Sequence, residues 1–179
     1  MTNITFDHFK TLTYEGAWIP FDGDRMHFRL LVEQCLQEAL VDSAGKLLVD
    51  ERGPHWMGEE KLAGLSYSNS AEWGVLVFSR THELGVDLER QDRTLKKNYL
   101  ALAKRFFHLS EYEALKLGSV FDGQSRFLKL WMEKEAYSKL RRENLAQHIN
   151  QVVSDQAEFE PVMKTRIGYW AVVAIGASC

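Results

Sequence analysis

Residues 73–89 read WGVLVFSRTHELGVDLE, and this stretch decides the expected fold. Its first part, residues 73–79, is a compact apolar run with Val and aromatic residues, and residues 84–89 (LGVDLE) follow closely. Both parts are typical of β-strands, which favour β-branched and aromatic side chains. We therefore predict an antiparallel pair of strands that turns near Arg80–Glu83.

Helices and further strands are expected on both sides of this pair. Three stretches with helical patterns are predicted helices: residues 26–40, 94–107 and 125–142. Two stretches rich in β-formers are predicted strands: residues 46–50 and 167–175. Ser110 followed by Glu113 is a capping-box pattern that predicts the start of another helix. Arg52–Lys61 contains Gly-Pro and a second Gly, which indicates a loop. This order predicts an α+β fold with antiparallel strands covered by helices.

The composition is typical of a globular protein of moderate size. The 179 residues are 45% hydrophobic, which is enough for one compact core or for two small lobes that share an interface. No apolar run approaches the length of a membrane span, Met1–Lys10 lacks a signal-peptide pattern, and Cys35 and Cys179 form no disulfide framework. We therefore expect a cytoplasmic protein with reduced cysteines. We also expect a monomer that binds neither membranes nor nucleic acid.

The net charge of −3 hides a local basic block. Residues 93–142 carry 12 Lys and Arg against 5 Asp and Glu, whereas residues 1–92 carry 8 against 16. A basic block attracts anionic partners such as phosphates, nucleic acid or an acidic protein face. The alternative is a solvated helical surface, because exposed charges are common and individually weak.

The first candidate site lies on the predicted strand at residues 84–89. Side chains alternate between the two faces of a strand, so Val86 and Leu88 point to one face and Asp87 and Glu89 to the other. Two carboxylates held this close repel each other unless a positive charge lies between them, and Mg²⁺ prefers such oxygen ligands. The alternative is an ordinary solvated strand face.

The second candidate site lies on the predicted helix at residues 125–142. One helical stripe combines apolar residues with two charged ones: Leu128, Trp131, Met132, Glu135 and Lys139. Glu135 and Lys139 therefore lie at the end of an apolar face, where a charge needs a partner. The alternative is an exposed ion pair between residues four positions apart, which stabilises a helix by only a few tenths of a kcal/mol.

Two motifs, one on each of these predicted elements, together resemble the signature of one protein family. Gly85–Glu89 (GVDLE) has the form Gly-hydrophobic-Asp-x-Glu, and Trp131–Lys139 (WMEKEAYSK) has the form Trp-x-x-Lys-Glu-Ala-x-x-Lys. Their order and spacing are similar to those of 4′-phosphopantetheinyl transferases of the surfactin-synthetase-activating type. Between the motifs, Ala103–Phe107 (AKRFF) and Ser110–Tyr112 (SEY) resemble the same proteins.

The resemblance continues more weakly towards the N-terminus. Leu65–Trp73 (LSYSNSAEW) is similar to an Ile-Ser-His-Ser segment of the family. His27–Leu31 (HFRLL) is similar to a helix whose arginine is directed at coenzyme A. The resemblance implies a pseudo-dimer of two similar lobes, each a small antiparallel sheet packed with helices, with coenzyme A in the cleft between them. We expect residues 1–81 to form the N-terminal lobe and residues 82–179 to form the C-terminal lobe with the metal site.

The resemblance also implies roles for individual residues. Asp87, Glu89 and Glu135 match the carboxylates that hold Mg²⁺. Glu135 is implied as the base for a serine of an apo acyl or peptidyl carrier protein, and Lys139 as a catalytic lysine on the phosphates of the donor. The residues implied to bind coenzyme A, the donor of the 4′-phosphopantetheine group, are Arg29, Arg52, Ser68, Asn69, Lys134 and Lys139. A metal ion and a lysine on a diphosphate are parts that phosphoryl transfer requires.

The chain departs from the family pattern at two positions that bear on coenzyme A. Asn69 stands where the family has a histidine that helps to bind the 3′-phosphate, and asparagine brings no positive charge. Arg52-Gly53-Pro54 stands where the family has Gly-Lys-Pro, so that Arg52 and His55 are the candidates for the role of the lysine. The alternative is that these are loop residues without a function.

Three functions are therefore compatible with the sequence. The first is the transferase, for which the sequence does not specify the carrier protein or the pathway. The second is a non-catalytic homologue that binds coenzyme A or a carrier protein, which the two departures favour. The third is a Mg²⁺-dependent nucleotide hydrolase, which the carboxylates alone would permit.

Overall fold

The computed structural model describes residues 5–92, 98–117, 120–162 and 166–178. Its strands are β1 (Asp7–Lys10), β2 (Glu15–Pro20), β3 (Lys46–Asp50), β4 (Gly53–Met57), β5 (Gly64–Ser70), β6 (Trp73–Ser79), β7 (His82–Arg90), β8 (Glu158–Pro161) and β9 (Tyr169–Ser178). Its helices are α1 (Arg25–Ala39), α2 (Tyr99–Phe106), α3 (Leu109–Lys116), α4 (Val120–Arg141) and a short 3₁₀ helix (Leu145–Gln147). None of these helices is long and apolar enough to cross a membrane.

In the part of the chain that the structure describes, the strands form two antiparallel sheets and a hairpin. The first sheet has the strand order β1-β2-β6-β5, the second has the order β7-β9-β8, and β3 pairs with β4 in the hairpin. Helices cover both sheets, because α1 packs on the first sheet and α4 on the second. The predicted α+β class is therefore confirmed, whereas the pseudo-dimer and the lobe boundary after residue 81 stay predictions.

The hydrophobic core has one layer between the two sheets and one layer on each outer face. Trp18 and Val75 of the first sheet pack with Val86 and Val173 of the second. In the pairing of β7 with β9, Asp87 lies opposite Val172. Both residues lie on the outer face of this sheet, which α4 covers. The inter-sheet layer therefore fixes which face of β7 presents its carboxylates to α4.

The prediction that residues 73–79 and 84–89 pair with each other is wrong. Both lie in strands, but β6 pairs with β2 and β5, and β7 pairs with β9. The backbone N–H groups of Thr81 and His82 each donate to Ser79 Oγ at 3.2 Å. These bonds hold a turn that carries the chain from one sheet to the other, because β6 already has a neighbour on each side.

The prediction of a loop at Arg52–Lys61 is wrong for Gly53–Met57, which form β4, and is confirmed for residues 58–61, which belong to no helix or strand. Gly53 makes the turn with a φ of 95°, a left-handed conformation that glycine adopts without strain. Pro54 then lies opposite Val49 in a two-stranded hairpin, where a residue without an N–H is tolerated at a strand edge. Gly-Pro therefore begins a strand here instead of preventing one.

The start of α3 differs from the predicted one. The α3 capping box is formed by His108 and Glu111, two residues before the predicted pair of Ser110 and Glu113. Glu111 Oε2 accepts the backbone N–H of His108 at 3.1 Å, so a histidine ring replaces the usual hydroxyl at the N-cap. The predicted helix at 94–107 is confirmed over Tyr99–Phe106, and residues 94–97 lie outside the described residues.

Candidate active site

Gly85 allows α4 to lie directly on β7. A Cβ atom at this position would lie 2.0 Å from the carbonyl oxygen of Ala136 and 2.4 Å from the backbone nitrogen of Leu140. Asp87 and Glu89 share the face of Gly85, because they are two and four residues further along the strand. Their exposed fractions are only 6% and 8%, so the alternative of a solvated strand face is wrong.

We expect Gly85→Ala to destabilise the protein by at least about 1–3 kcal/mol, because the added methyl group must displace the backbone of α4. The free energy of unfolding in urea measures this effect. Gly176→Ala is the matched control, because there the nearest atom is the flexible Leu140 Cδ1 at 3.0 Å. Equal stability of Gly85→Ala and the unmodified protein would contradict the close contact between α4 and β7.

A row of serines on β5 faces the carboxylate strand. Three alternate residues share this face of β5: Ser66, Ser68 and Ser70. The first accepts the backbone N–H of Val86 at 3.0 Å, the second donates to Asp87 Oδ1 at 2.9 Å, and the third donates to Glu89 Oε2 at 3.3 Å. These serines therefore orient both carboxylates and connect the edge strands of the two sheets.

Lys139 on α4 forms an ion pair with the same carboxylate. Its Nζ lies 2.8 Å from Asp87 Oδ1, 2.9 Å from the carbonyl oxygen of Val86 and 3.1 Å from Ser68 Oγ. An ammonium group has three N–H donors, so these three oxygens satisfy it completely. About a third of the Lys139 side chain (32%) remains exposed, so solvent reaches the pair from one side.

Glu135 lies one helical turn before Lys139 and is half-buried. Among the residues that the structure describes, no three His, Cys, Asp or Glu side chains are close enough to hold a metal ion. The metal roles of Asp87, Glu89 and Glu135 therefore stay predictions. The chemistry of the site nevertheless fits Mg²⁺, because Asp87 and Glu89 are buried carboxylates that supply hard oxygen ligands from one face of β7.

A cleft of about 430 Å³ opens beside this ion pair. Its lining comes from the β3–β4 turn, from β5 and from the C-terminal end of α4, and includes three cationic side chains: Arg52, Lys139 and Arg142. Ser66 and Tyr67 form part of the wall. Glu51 and Glu143 also line the cleft, so the cations of its described lining outnumber the carboxylates by one. A cleft of this size and net charge is suited to part of a phosphorylated ligand.

The predicted coenzyme A ligands fall into two groups. Arg52 and Lys139 line the cleft, whereas its described lining does not include Arg29, Ser68 or Asn69. Burial raises the pKa of Tyr67, and the positive charge of Arg29 partly offsets that rise. Asn69 is half-buried on the opposite face of β5 from the serine row.

Lys134 lies elsewhere, and its position argues against the predicted contact with coenzyme A. Its side chain is completely buried, and its Nζ lies 2.9 Å from Glu111 Oε2 of α3. It also donates to the carbonyl oxygen of Gln151 and lies 5.1 Å from the centre of the Phe107 ring. Burial lowers the pKa of Lys134, and the Glu111 carboxylate partly offsets that fall. Lys134 therefore connects α4 to α3 inside the protein.

Two features of the site were missed in the sequence. The alternation of Ser66, Ser68 and Ser70 has the period of a strand and could have indicated a polar face. Arg142 was counted in the basic block but not distinguished from its neighbours. It follows the last residue of α4 with a φ of 55°, which only the folded backbone reveals.

The comparisons with known proteins find one family of transferases. A sequence profile of the 4′-phosphopantetheinyl transferase superfamily matches residues 83–167, a segment that contains Asp87, Glu89, Glu135 and Lys139. A Synechocystis sp. protein provisionally named a 4′-phosphopantetheinyl transferase is 31% identical over 143 residues, which cover 74% of this chain and 53% of that protein. The 4′-phosphopantetheinyl transferase gsp of Aneurinibacillus migulanus is 31% identical over 96 residues, which cover 54% of this chain and 38% of that protein.

These sequence matches identify the class of protein to which this chain is similar. The chain belongs to the 4′-phosphopantetheinyl transferase superfamily, and the resemblance predicted from its motifs is confirmed. It spans about half the length, or less, of the curated relatives that it matches.

Proposed function

We propose that this protein transfers the 4′-phosphopantetheine group of coenzyme A to a serine of an apo acyl or peptidyl carrier protein in a Mg²⁺-dependent reaction. The observation that carries the proposal is the ion pair of Asp87 and Lys139 at the wall of a cleft that Arg52 and Arg142 also line. Superfamily membership supports the same reaction.

The net positive charge of the cleft lining supports the binding of a phosphorylated donor. Coenzyme A carries a diphosphate and a 3′-phosphate, and arginine binds phosphates through two parallel hydrogen bonds. Arg142 and Lys139 both line the cleft near the C-terminal end of α4, so both can contact one phosphorylated ligand. Mg²⁺ held by Asp87, Glu89 and Glu135 would neutralise charge that develops on the diphosphate.

The reaction exchanges one phosphorus–oxygen bond for another. The hydroxyl oxygen of the carrier serine attacks the phosphorus that bears the pantetheine arm, and the bond from this phosphorus to the leaving 3′,5′-adenosine bisphosphate breaks. The serine proton passes to Glu135, directly or through one water molecule. Lys139 stabilises the negative charge on the leaving group, so positioning and electrostatics supply most of the catalysis.

The non-catalytic homologue is the second candidate. Asn69 in place of a histidine, and a β3–β4 turn without a lysine, favour it because both changes remove a charge-assisted contact to the donor. Arg142 offsets part of this loss, because it adds a cation to the same cleft. A nucleotide hydrolase is distinguished by release of 3′,5′-adenosine bisphosphate without any carrier.

The deciding experiment incubates the protein with coenzyme A, Mg²⁺ and a panel of apo carrier proteins, followed by mass spectrometry of the carriers. A mass gain of one phosphopantetheine group on the carrier serine, lost when that serine is replaced by alanine, is the expected result. Binding of coenzyme A without any mass gain across the panel would favour the non-catalytic homologue. Omission of Mg²⁺ is expected to abolish the gain.

We expect Arg142→Ala to raise the KM for coenzyme A by roughly 10- to 150-fold, since a hydrogen bond to a charged group contributes about 1.5–3 kcal/mol. The value of kcat should change much less, because the contact is made to the bound donor in both the ground state and the transition state. Arg141→Ala is the matched control, since Arg141 is also exposed but is not part of the cleft lining in the described residues. Similar KM values for the two variants would contradict a donor contact by Arg142.

A further inference from the structure

The ammonium of Lys139 occupies Oδ1, one of the two oxygens of the Asp87 carboxylate. It contacts Asp87 Oδ1, the carbonyl oxygen of Val86 and Ser68 Oγ, all within 3.1 Å. Ser68 donates its own proton to Asp87 Oδ1, so this oxygen already accepts two hydrogen bonds. With an exposed fraction of 6%, Asp87 lies in surroundings where water screens charges poorly.

A lysine and a divalent cation cannot both be close to one carboxylate oxygen without strong mutual repulsion. Two positive charges a few Å apart in a poorly screened site repel each other strongly. The oxygen must therefore exchange one cation for the other. The Lys139 side chain is able to leave, because about a third of it (32%) is exposed and its stem lines the open cleft beside Arg52 and Arg142.

We propose that Lys139 keeps the metal ion off Asp87 until a phosphorylated donor enters the cleft. The phosphates then attract the ammonium away from Asp87, and the freed carboxylate accepts the metal ion. Lys139 therefore makes donor and metal bind cooperatively, and a metal ion alone binds weakly. This inference rests on the proposed function for the identity of the donor, but not for the behaviour of the lysine.

The expected size of the effect follows from the coupling of two binding events. Coupling between two ligands on one protein typically changes each affinity by about 5- to 150-fold. Lys139→Met removes the competing ammonium but retains the length of the side chain. We expect this variant to bind a divalent metal ion, without any donor, at least about 5-fold more tightly than the unmodified protein.

The experiment measures the binding of Mn²⁺, a paramagnetic substitute for Mg²⁺, by electron paramagnetic resonance without any donor. Lys129→Met is the matched control, because Lys129 is an exposed lysine on the same helix and is ten residues, or about 15 Å, away. Both variants lose one positive charge, so only a local effect distinguishes them. Adding Asp87→Asn to Lys139→Met is expected to abolish the gain in affinity.

A second measurement applies if Lys139→Met folds poorly. Lys139→Arg retains the positive charge, so its Mn²⁺ affinity should stay close to that of the unmodified protein. The thermal unfolding temperature of each variant, measured with and without Mn²⁺, reports on the same binding. In the unmodified protein, coenzyme A should tighten Mn²⁺ binding more than it does in Lys139→Met. Mn²⁺ affinities of Lys139→Met and Lys129→Met that agree within error would overturn the inference.

The outcomes separate this inference from the proposed function. If no carrier gains mass but Lys139→Met gains Mn²⁺ affinity through Asp87, the lysine excludes the metal in a protein that is not a transferase. If a carrier gains mass but the Mn²⁺ affinity of Lys139→Met does not rise, the transferase remains and the inference is wrong.

Discussion

Replacement of Asp87 by asparagine is expected to reduce the rate of phosphopantetheine transfer on the order of 10²- to 10³-fold, the usual effect of losing one preorganised electrostatic contact. Asparagine has the shape of aspartate and can still accept the hydrogen bond from Ser68. The fold should therefore persist, while the charge that balances Lys139 and attracts Mg²⁺ is lost. The kcat at saturating coenzyme A, carrier and Mg²⁺ measures the effect.

Two further variants define the site. Glu89→Gln and Glu135→Gln should each lower kcat for the same reason, because each removes a carboxylate from the predicted metal set. Glu83→Gln is the control, since Glu83 is an exposed residue of the same strand. Nearly normal transfer by Asp87→Asn in a protein of unchanged stability would exclude the proposed role of this carboxylate.

The second large effect is expected from Lys134→Met, which should cost about 3–5 kcal/mol of stability because it leaves the buried Glu111 carboxylate unpaired. For a protein of this size, each kcal/mol lowers the unfolding temperature by about 2–4 °C, so a fall of roughly 6–20 °C is expected. Glu111 also caps α3 through His108, which makes the start of that helix sensitive to the same change. Thermal unfolding followed by circular dichroism measures the loss.

The controls for this prediction separate stability from donor binding. Lys129→Met should change stability by about 1 kcal/mol or less, because Lys129 is largely exposed and lies 3.8 Å from Glu133. The double variant Glu111→Met with Lys134→Met should regain part of the lost stability, because no buried charge is then left alone. If Lys134→Met were as stable as the unmodified protein but raised the KM for coenzyme A, Lys134 would be a donor ligand.

The strand and helix segments were predictable to the extent that local patterns encode them. Residues 26–40 and α1 agree because apolar residues recur at helical spacing, and Asp24 caps the helix by accepting the N–H groups of Met26 and His27. The partner of each strand was not predictable in the same way. β6 pairs with β2, more than 50 residues earlier in the chain, and nothing in a local pattern specifies so distant a neighbour.

The sequence by itself determined the class of the protein and the residues of its motifs. The alternation in Gly85–Glu89 placed Asp87 and Glu89 on one face, since the side-chain period of a strand is a property of the backbone. Only the tertiary structure decided what those charges contact. Lys139 is 52 residues from Asp87 and reaches it because α4 lies on Gly85. Lys134 is five residues before Lys139 on the same helix, and each residue of a helix is rotated by about 100° from the one before it. Its side chain therefore points towards α3, where it is buried against Glu111, and away from the cleft.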